Sequence, residues 1–252
     1  MLKKIVATKK EEMNRFILSE NKELKEYSFY NALKNKNRSL ALIAEVKKAS
    51  PSKGIIRQDF HPVSIAKQYE KAQADAISVL TDETYFKGHS TYLSNIKETV
   101  TLPILRKDFI IDRRQILDSK HIGADAILLI AAILDVEQLY EFYLEAEELG
   151  LDCLIECHTK EEVTSILHRF TPKIMGINNR DLHTFKTSLQ QTEELHSLIP
   201  KEVVTISESG IRTFEDVSRL ESLRVSGMLI GETFMRNENP KRAIEQLFGE
   251  DQ

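Results

Sequence analysis

From Leu40 onward, short apolar runs and longer amphipathic stretches alternate eight times along the chain. The runs fall at residues 40–47, 76–80, 103–107, 126–130, 152–156, 173–178, 203–207 and 227–231. Each is apolar almost throughout, which suits a parallel strand covered on both faces. Between them lie helical stretches such as Pro62–Lys71, Val136–Leu149, Thr159–His168 and Phe214–Leu223. Strict strand–helix alternation predicts an α/β fold with a parallel sheet. Eight such units in 252 residues favour closure into a (βα)8 TIM barrel over an open sheet. Gly123, Gly150 and Gly227 stand where a helix stops and a strand begins, and read as helix C-caps.

Residues 1–39 have a different character. They are rich in Lys and Glu, with Met13, Phe16, Ile17, Leu24 and Tyr27 spaced along a helix face. This predicts an N-terminal helical extension of one or two helices, packed against a barrel formed by residues 40–252. No linker or low-complexity tract divides the chain, so residues 1–252 read as a single domain.

A net charge of −4 gives no overall attraction to nucleic acid or to anionic lipid. An anionic ligand must therefore be held by local charges. No apolar stretch approaches the ~18 residues a membrane span needs, and Met1–Lys10 is too polar for a signal peptide. The expectation is a cytoplasmic monomer with no membrane or nucleic-acid partner. Cys153 and Cys157 sit beside His158. Strand alternation, however, puts both cysteines on the face opposite Glu156, among the helices. They read as packing residues, and no metal site is expected.

Six of the runs end in charged or hydrogen-bonding residues: Glu45 and Lys47, Lys107, Glu156, Asn178, Glu208 and Glu232. Polar groups gathered at the carboxyl ends of parallel strands mark where barrels and open α/β sheets place their chemistry. Glu45 and Lys47, two apart, share a face with Ala41 and Ile43. Burying an acid and a base there is costly unless they pair with each other or with a ligand. The segment Ala49–Gly54 follows as a mobile, small-residue loop suited to a lid. Lys107 closes the third strand, where partial desolvation is expected to lower its pKa and make it a better acid. Ser209-Gly210 and Gly231-Glu232 follow strands seven and eight, the loops where such barrels hold phosphate on backbone N–H groups.

Six motifs in this order and spacing carry a family resemblance. They are I-A-E-V-K-K-A-S-P-S-K-G (43–54), P-I-L-R-K-D-F (103–109), L-I-E (154–156), G-I-N-N-R-D-L (176–182), S-E-S-G-I (207–211) and L-I-G-E (229–232). Together they closely resemble the indole-3-glycerol phosphate synthases of tryptophan biosynthesis. The resemblance implies a small phosphorylated substrate, 1-(2-carboxyphenylamino)-1-deoxyribulose 5-phosphate, and a reaction without a cofactor. The aryl carbon bearing the carboxylate attacks the ketone carbon, and CO2 and water are then lost.

On that footing Lys107 is the candidate acid for ring closure, with Glu156, Glu45 and Lys47 serving the dehydration. Asn178 and Arg180 are expected on the sugar hydroxyls and the carboxylate, with Glu208 orienting the lysines. Phe86 and Phe109 would wall the aromatic ring. Ser50, Ser209, Gly210, Gly231 and the N–H of Glu232 would cradle the phosphate. Glu232 stands where some relatives carry a small hydroxyl residue, so its backbone must serve there. Two rivals stay open: a Schiff-base aldolase with Lys107 as nucleophile, and a non-catalytic sugar-phosphate sensor. Borohydride trapping separates the first, and the full acid–base set argues against the second.

Overall fold

The computed structural model describes residues 1–181 and 186–250, so Leu182, the last residue of the fourth motif, lies outside the described residues. The apolar runs form eight parallel strands: β1 (Ala41–Val46), β2 (Ala76–Leu80), β3 (Ile104–Lys107), β4 (Ala126–Ile130), β5 (Asp152–Cys157), β6 (Ile174–Asn178), β7 (Val204–Glu208) and β8 (Gly227–Ile230). Each pairs with its neighbours in order, and β1 pairs with β8, Ala41 against Gly227, to close the barrel. Alternation divides every strand. Ala41, Ile43, Leu105, Leu128, Leu154 and Ile206 fill the lumen, whereas Leu42, Ala44, Ile127, Ile155 and Met175 pack under the helices. Cys153 and Cys157 belong to the outer set, and burial pushes both thiols up.

The helices between strands stop and start as the sequence dictates. α3 (Pro62–Lys71) has proline in its first turn, where no N–H partner is needed. α8 (Lys160–Arg169) and α10 (Phe214–Ser222) begin with capping boxes from Thr159 and Thr213. Gly123 and Gly150 follow their helices at φ of +92° and +74°, as C-cap glycines do. Gly227 does not. Arg224 takes the left-handed position after α10 at φ +60°, and Gly227 opens β8. A Cβ at Gly227 would lie 2.7 Å from the carbonyl oxygen of Ala41, so this glycine permits barrel closure.

The N-terminal extension holds α1 (Leu2–Met13) and α2 (Phe29–Lys34). Residues 16–27 are not helical, and Ile17 is 86% exposed. This segment is an extended strap along the base of the barrel. Its backbone N–H groups reach outside the segment: Ser19 donates to Asp118 and Tyr27 to Asp125. α2 then plugs the amino-terminal end of the lumen with Phe29 and Leu33, both fully buried. Among the described residues no helix is long and apolar enough to cross a membrane.

α1 crosses the opposite end of the barrel, anchored by a buried lysine. Lys9 lies 3.1 Å from Asp108, 3.3 Å from Asp82 and 2.7 Å from Glu12. Asp82 caps α4 (Glu83–Phe86), and Asp108 also meets Arg106 and accepts from Thr81 at 2.6 Å. Burial alone would raise the Asp108 carboxyl, but Lys9 and Arg106 hold it at about 2. Its stabilisation is complete above the unfolded value of 3.8 and is lost as pH falls through about 2. Removing one partner of such a buried cluster is destabilising by ~3–5 kcal/mol. Lys9→Met is therefore expected to shift the urea midpoint down strongly at pH 7, and an unchanged midpoint would show that α1 is held otherwise.

Candidate active site

Where α1 crosses it, the carboxyl end of the barrel encloses a cavity of about 580 Å³, within the roughly 300–1,000 Å³ of small-molecule sites. Every candidate residue from the sequence lines it: Glu45, Lys47, Ser50, Phe86, Lys107, Phe109, Glu156, Asn178, Arg180, Glu208, Ser209, Gly210, Gly231 and Glu232. The side-chain period of two, imposed on closed strands, brings residues distant in sequence to one opening.

Lys107 lies at the centre of the charges. Its Nζ donates to Glu156 Oε2 at 3.0 Å and to Glu208 Oε2 at 2.9 Å. Burial would lower its pKa, but Glu156, Glu208 and Glu45 together outweigh burial and raise it above the ordinary lysine value. The lowering expected from the sequence is thus reversed, because the carboxylates that meet Lys107 come from other strands. A lysine held protonated in this way is also poorly set up as a Schiff-base nucleophile.

The two carboxylates on Lys107 are driven apart. Burial would raise Glu156, yet Lys107, His158 and an Asn178 side-chain hydrogen bond hold it below the usual carboxylate range. Glu208 is pushed up by burial and by repulsion from Glu156 and Glu45, against the pull of Lys107. Paired groups with divided pKa values are the arrangement acid–base chemistry requires. Lys47 forms an ion pair with Glu45 across the neighbouring part of the opening.

Two glycines give these carboxylates room. A Cβ at Gly176 would strike Glu208 Oε1, and one at Gly231 would strike Glu45 Oε1. After β7, which lies across the barrel from β3 in strand order, Ser209 and Gly210 both take left-handed backbone, at φ +68° and +84°. A non-glycine residue held there is strained, and such strain gathers at ligand sites. The buried Asn179 amide fixes this turn by donating to the Ser209 carbonyl at 3.0 Å. Gly231 precedes the short helix α11 (Glu232–Met235), while the Glu232 side chain turns to Arg236 at 2.9 Å and stands 4.0 Å from Arg180. Valine at position 210 would strain the backbone and bring Cβ to 3.0 Å from Thr187. At ~1–3 kcal/mol of strain, Gly210→Val is expected to raise KM for a phosphorylated substrate about tenfold or more. An unchanged KM would place the phosphate elsewhere.

Phe86 and Phe109 face each other with ring centroids 6.0 Å apart and line the cavity. Ser50 lies in a two-strand hairpin, Ala49–Ser50 against Gly54–Ile55, so the small-residue loop over the mouth has its own backbone pairing. Sequence reasoning missed several lining residues: Leu2 and Ile5 from α1, Lys53, His158, Arg212 and Arg236. For the polar residues among them the available signal was position, since each lies within six residues of a polar strand end. Nothing in the pattern of α1 pointed to the mouth.

Comparison with known proteins is consistent with this geometry. The solved tryptophan synthase α subunit from Legionella pneumophila superposes with a TM-score of 0.62 over 89% of this chain and 97% of that one. At 14% identity that likeness speaks for the fold alone. Indole-3-glycerol phosphate synthase from Halalkalibacterium halodurans is 54% identical over 99% of this chain and 97% of its own length. The enzyme of that name from Geobacillus thermodenitrificans is 57% identical over 100% and 98%. The family described as indole-3-glycerol phosphate synthase matches residues 2–247, and the chain belongs to that family.

Proposed function

We propose that the chain converts 1-(2-carboxyphenylamino)-1-deoxyribulose 5-phosphate to indole-3-glycerol phosphate at the barrel mouth, as a decarboxylating lyase of tryptophan biosynthesis. The observation that carries the residue roles is Lys107 held between Glu156 and Glu208, opposite the glycine loops after β7 and β8. Lys107 protonates the ketone oxygen as the aryl carbon attacks, and its charge steadies the developing alkoxide. Loss of CO2 returns the electron pair to the ring. Dehydration then needs an acid at the departing hydroxyl and a base for a ring-side proton. Glu156, held ionised, is the base, and Lys47 with Glu45 serves the leaving hydroxyl.

Backbone N–H groups at Ser209-Gly210 and Gly231-Glu232, with Ser50, bind the phosphate, and Lys53, Arg212 and Arg236 add positive charge. Asn178 and Arg180 hold the sugar hydroxyls and the carboxylate, Glu208 orients Lys107, and Phe86 with Phe109 walls the aromatic ring. No step in this sequence calls on a cofactor. The net charge of −4 gives no general attraction to nucleic acid, so the anionic substrate is held by these local charges. We read the chain as a cytoplasmic monomer, and its folding as one domain is supported by the Arg38–Glu250 pair that ties the extension to the C-terminal segment. Incubation with the proposed substrate should give a rise in indole fluorescence without added metal or cofactor. No rise from folded protein would overturn the assignment.

A further inference from the structure

The reaction proposed above has a proton balance that the lumen must satisfy. The substrate carboxylate carries a negative charge and leaves as neutral CO2. Each turnover therefore takes up one proton: two are delivered, to the ketone oxygen and to the departing hydroxyl, and one is recovered from the ring. Reloading Lys107 between ring closure and dehydration, while substrate fills the mouth, keeps Glu156 ionised for its own step. The ring proton that Glu156 then takes resets the Lys47–Glu45 pair.

His158, in the segment after β5, points to a route for the reloading. Its Nε2 lies 3.5 Å from Glu156 Oε1, the oxygen that Lys107 does not occupy. Its Nδ1 lies 3.9 Å from Glu162 Oε2 on α8. Side-chain exposure rises outward along this line, 7% for Glu156, 8% for His158 and 20% for Glu162. Neither ring nitrogen has a hydrogen-bond partner among the described residues, although both are buried. Buried polar atoms without partners call for a specific reason. The neighbouring segments present Glu156 and Glu162 to the ring, with Lys107 and Glu208 beyond Glu156. Gln191 of α9 (Gln190–His196) is uncharged, and its side chain donates to the His158 carbonyl at 2.6 Å.

We propose that His158 is a positioning residue that resupplies the acid, carrying a proton from Glu162 at the surface to Glu156 and so to Lys107. A proton from solvent adds to Nδ1 through Glu162 while the Nε2–H bond breaks and its proton passes to Glu156 Oε1. The Glu156 carboxyl then turns and gives that same proton to the neutral Lys107 amine left by ring closure, returning to a carboxylate. Ring tautomerisation resets the histidine. No oxidant or further reactant enters.

The test rests on the proposed activity and is read only as a ratio to active wild-type enzyme, so failure of the function and failure of the relay are distinct. His158→Gln keeps a polar side chain that cannot carry the proton. It should lower kcat about tenfold or more, the low end of one acid–base group's effect, with KM within about twofold. The loss should deepen above neutral pH, where protons are scarce. Added imidazole should restore turnover to His158→Ala. Glu162→Gln retains the capping box of α8, because glutamine also serves there, and should give a smaller loss of the same pH form. Wild-type kcat and pH profile in His158→Gln would overturn the relay. So would a loss equal at all pH values and untouched by imidazole, which would mark a packing role.

Discussion

Replacing Lys107 with methionine should lower kcat by at least about 10²–10⁴-fold, the effect of a single acid–base group. Methionine keeps the apolar stem and removes the ammonium, so the lumen stays filled. The loss can exceed that range, because the same charge stabilises the alkoxide in a largely dry site. The raised pKa of Lys107 fixes the sense of the pH effect. The lysine is protonated across the neutral range, so its own titration should not appear as an alkaline limb below pH 9. KM should change less than kcat, since the phosphate loops are on the far side of the mouth. Methionine also leaves Glu156 and Glu208 facing each other without their shared cation, so the second glutamate should take up a proton and the fold should persist. Turnover within about threefold of wild type would remove Lys107 from the mechanism and put Lys47 in its place.

Glu156→Gln should have a second large effect, again a fall in kcat of about 10²–10⁴-fold. Glutamine preserves the hydrogen bond to Lys107 and removes the base. Ring closure and CO2 loss do not need that base, so the ring-closed intermediate should accumulate before dehydration. Rapid quenching and mass analysis would detect a species heavier than the product by one water. Glu208→Gln makes the contrast. Its carboxyl is pushed up toward neutrality, so the amide resembles the form it partly adopts already, and a smaller fall should follow. Equal losses in the two variants, with no intermediate in either, would show that the carboxylates act only as a pair.

Much of this arrangement was legible in the sequence because side-chain alternation is a local rule. Once Ile43 faced the lumen, Glu45 and Lys47 had to follow, and Cys153 and Cys157 had to face the helices. What failed depended on contacts between distant segments. The acidity of Lys107 is set by Glu156 and Glu208, which approach only when the barrel closes. Residues 16–27 carry a helix-like apolar spacing, but Ser19 and Tyr27 donate to Asp118 and Asp125, which holds the segment as an extended strap. Glycine's tolerance of left-handed backbone points to Gly227 as the helix stop before β8, yet Arg224 adopts that backbone. Lys9 showed no sign of its role, since its partners Asp82 and Asp108 are remote in sequence.

The pairing of β1 with β8 also bears on how the protein is made. Glu45 emerges from the ribosome well before Gly231, the residue that leaves space for its carboxylate. A nascent chain holding every strand but the final one has an open sheet edge and an unfinished mouth. Function should therefore switch on in a single late event, when the last strand docks. Shortened products of interrupted translation should be inert and, with both edges of the sheet unpaired, good targets for proteolysis.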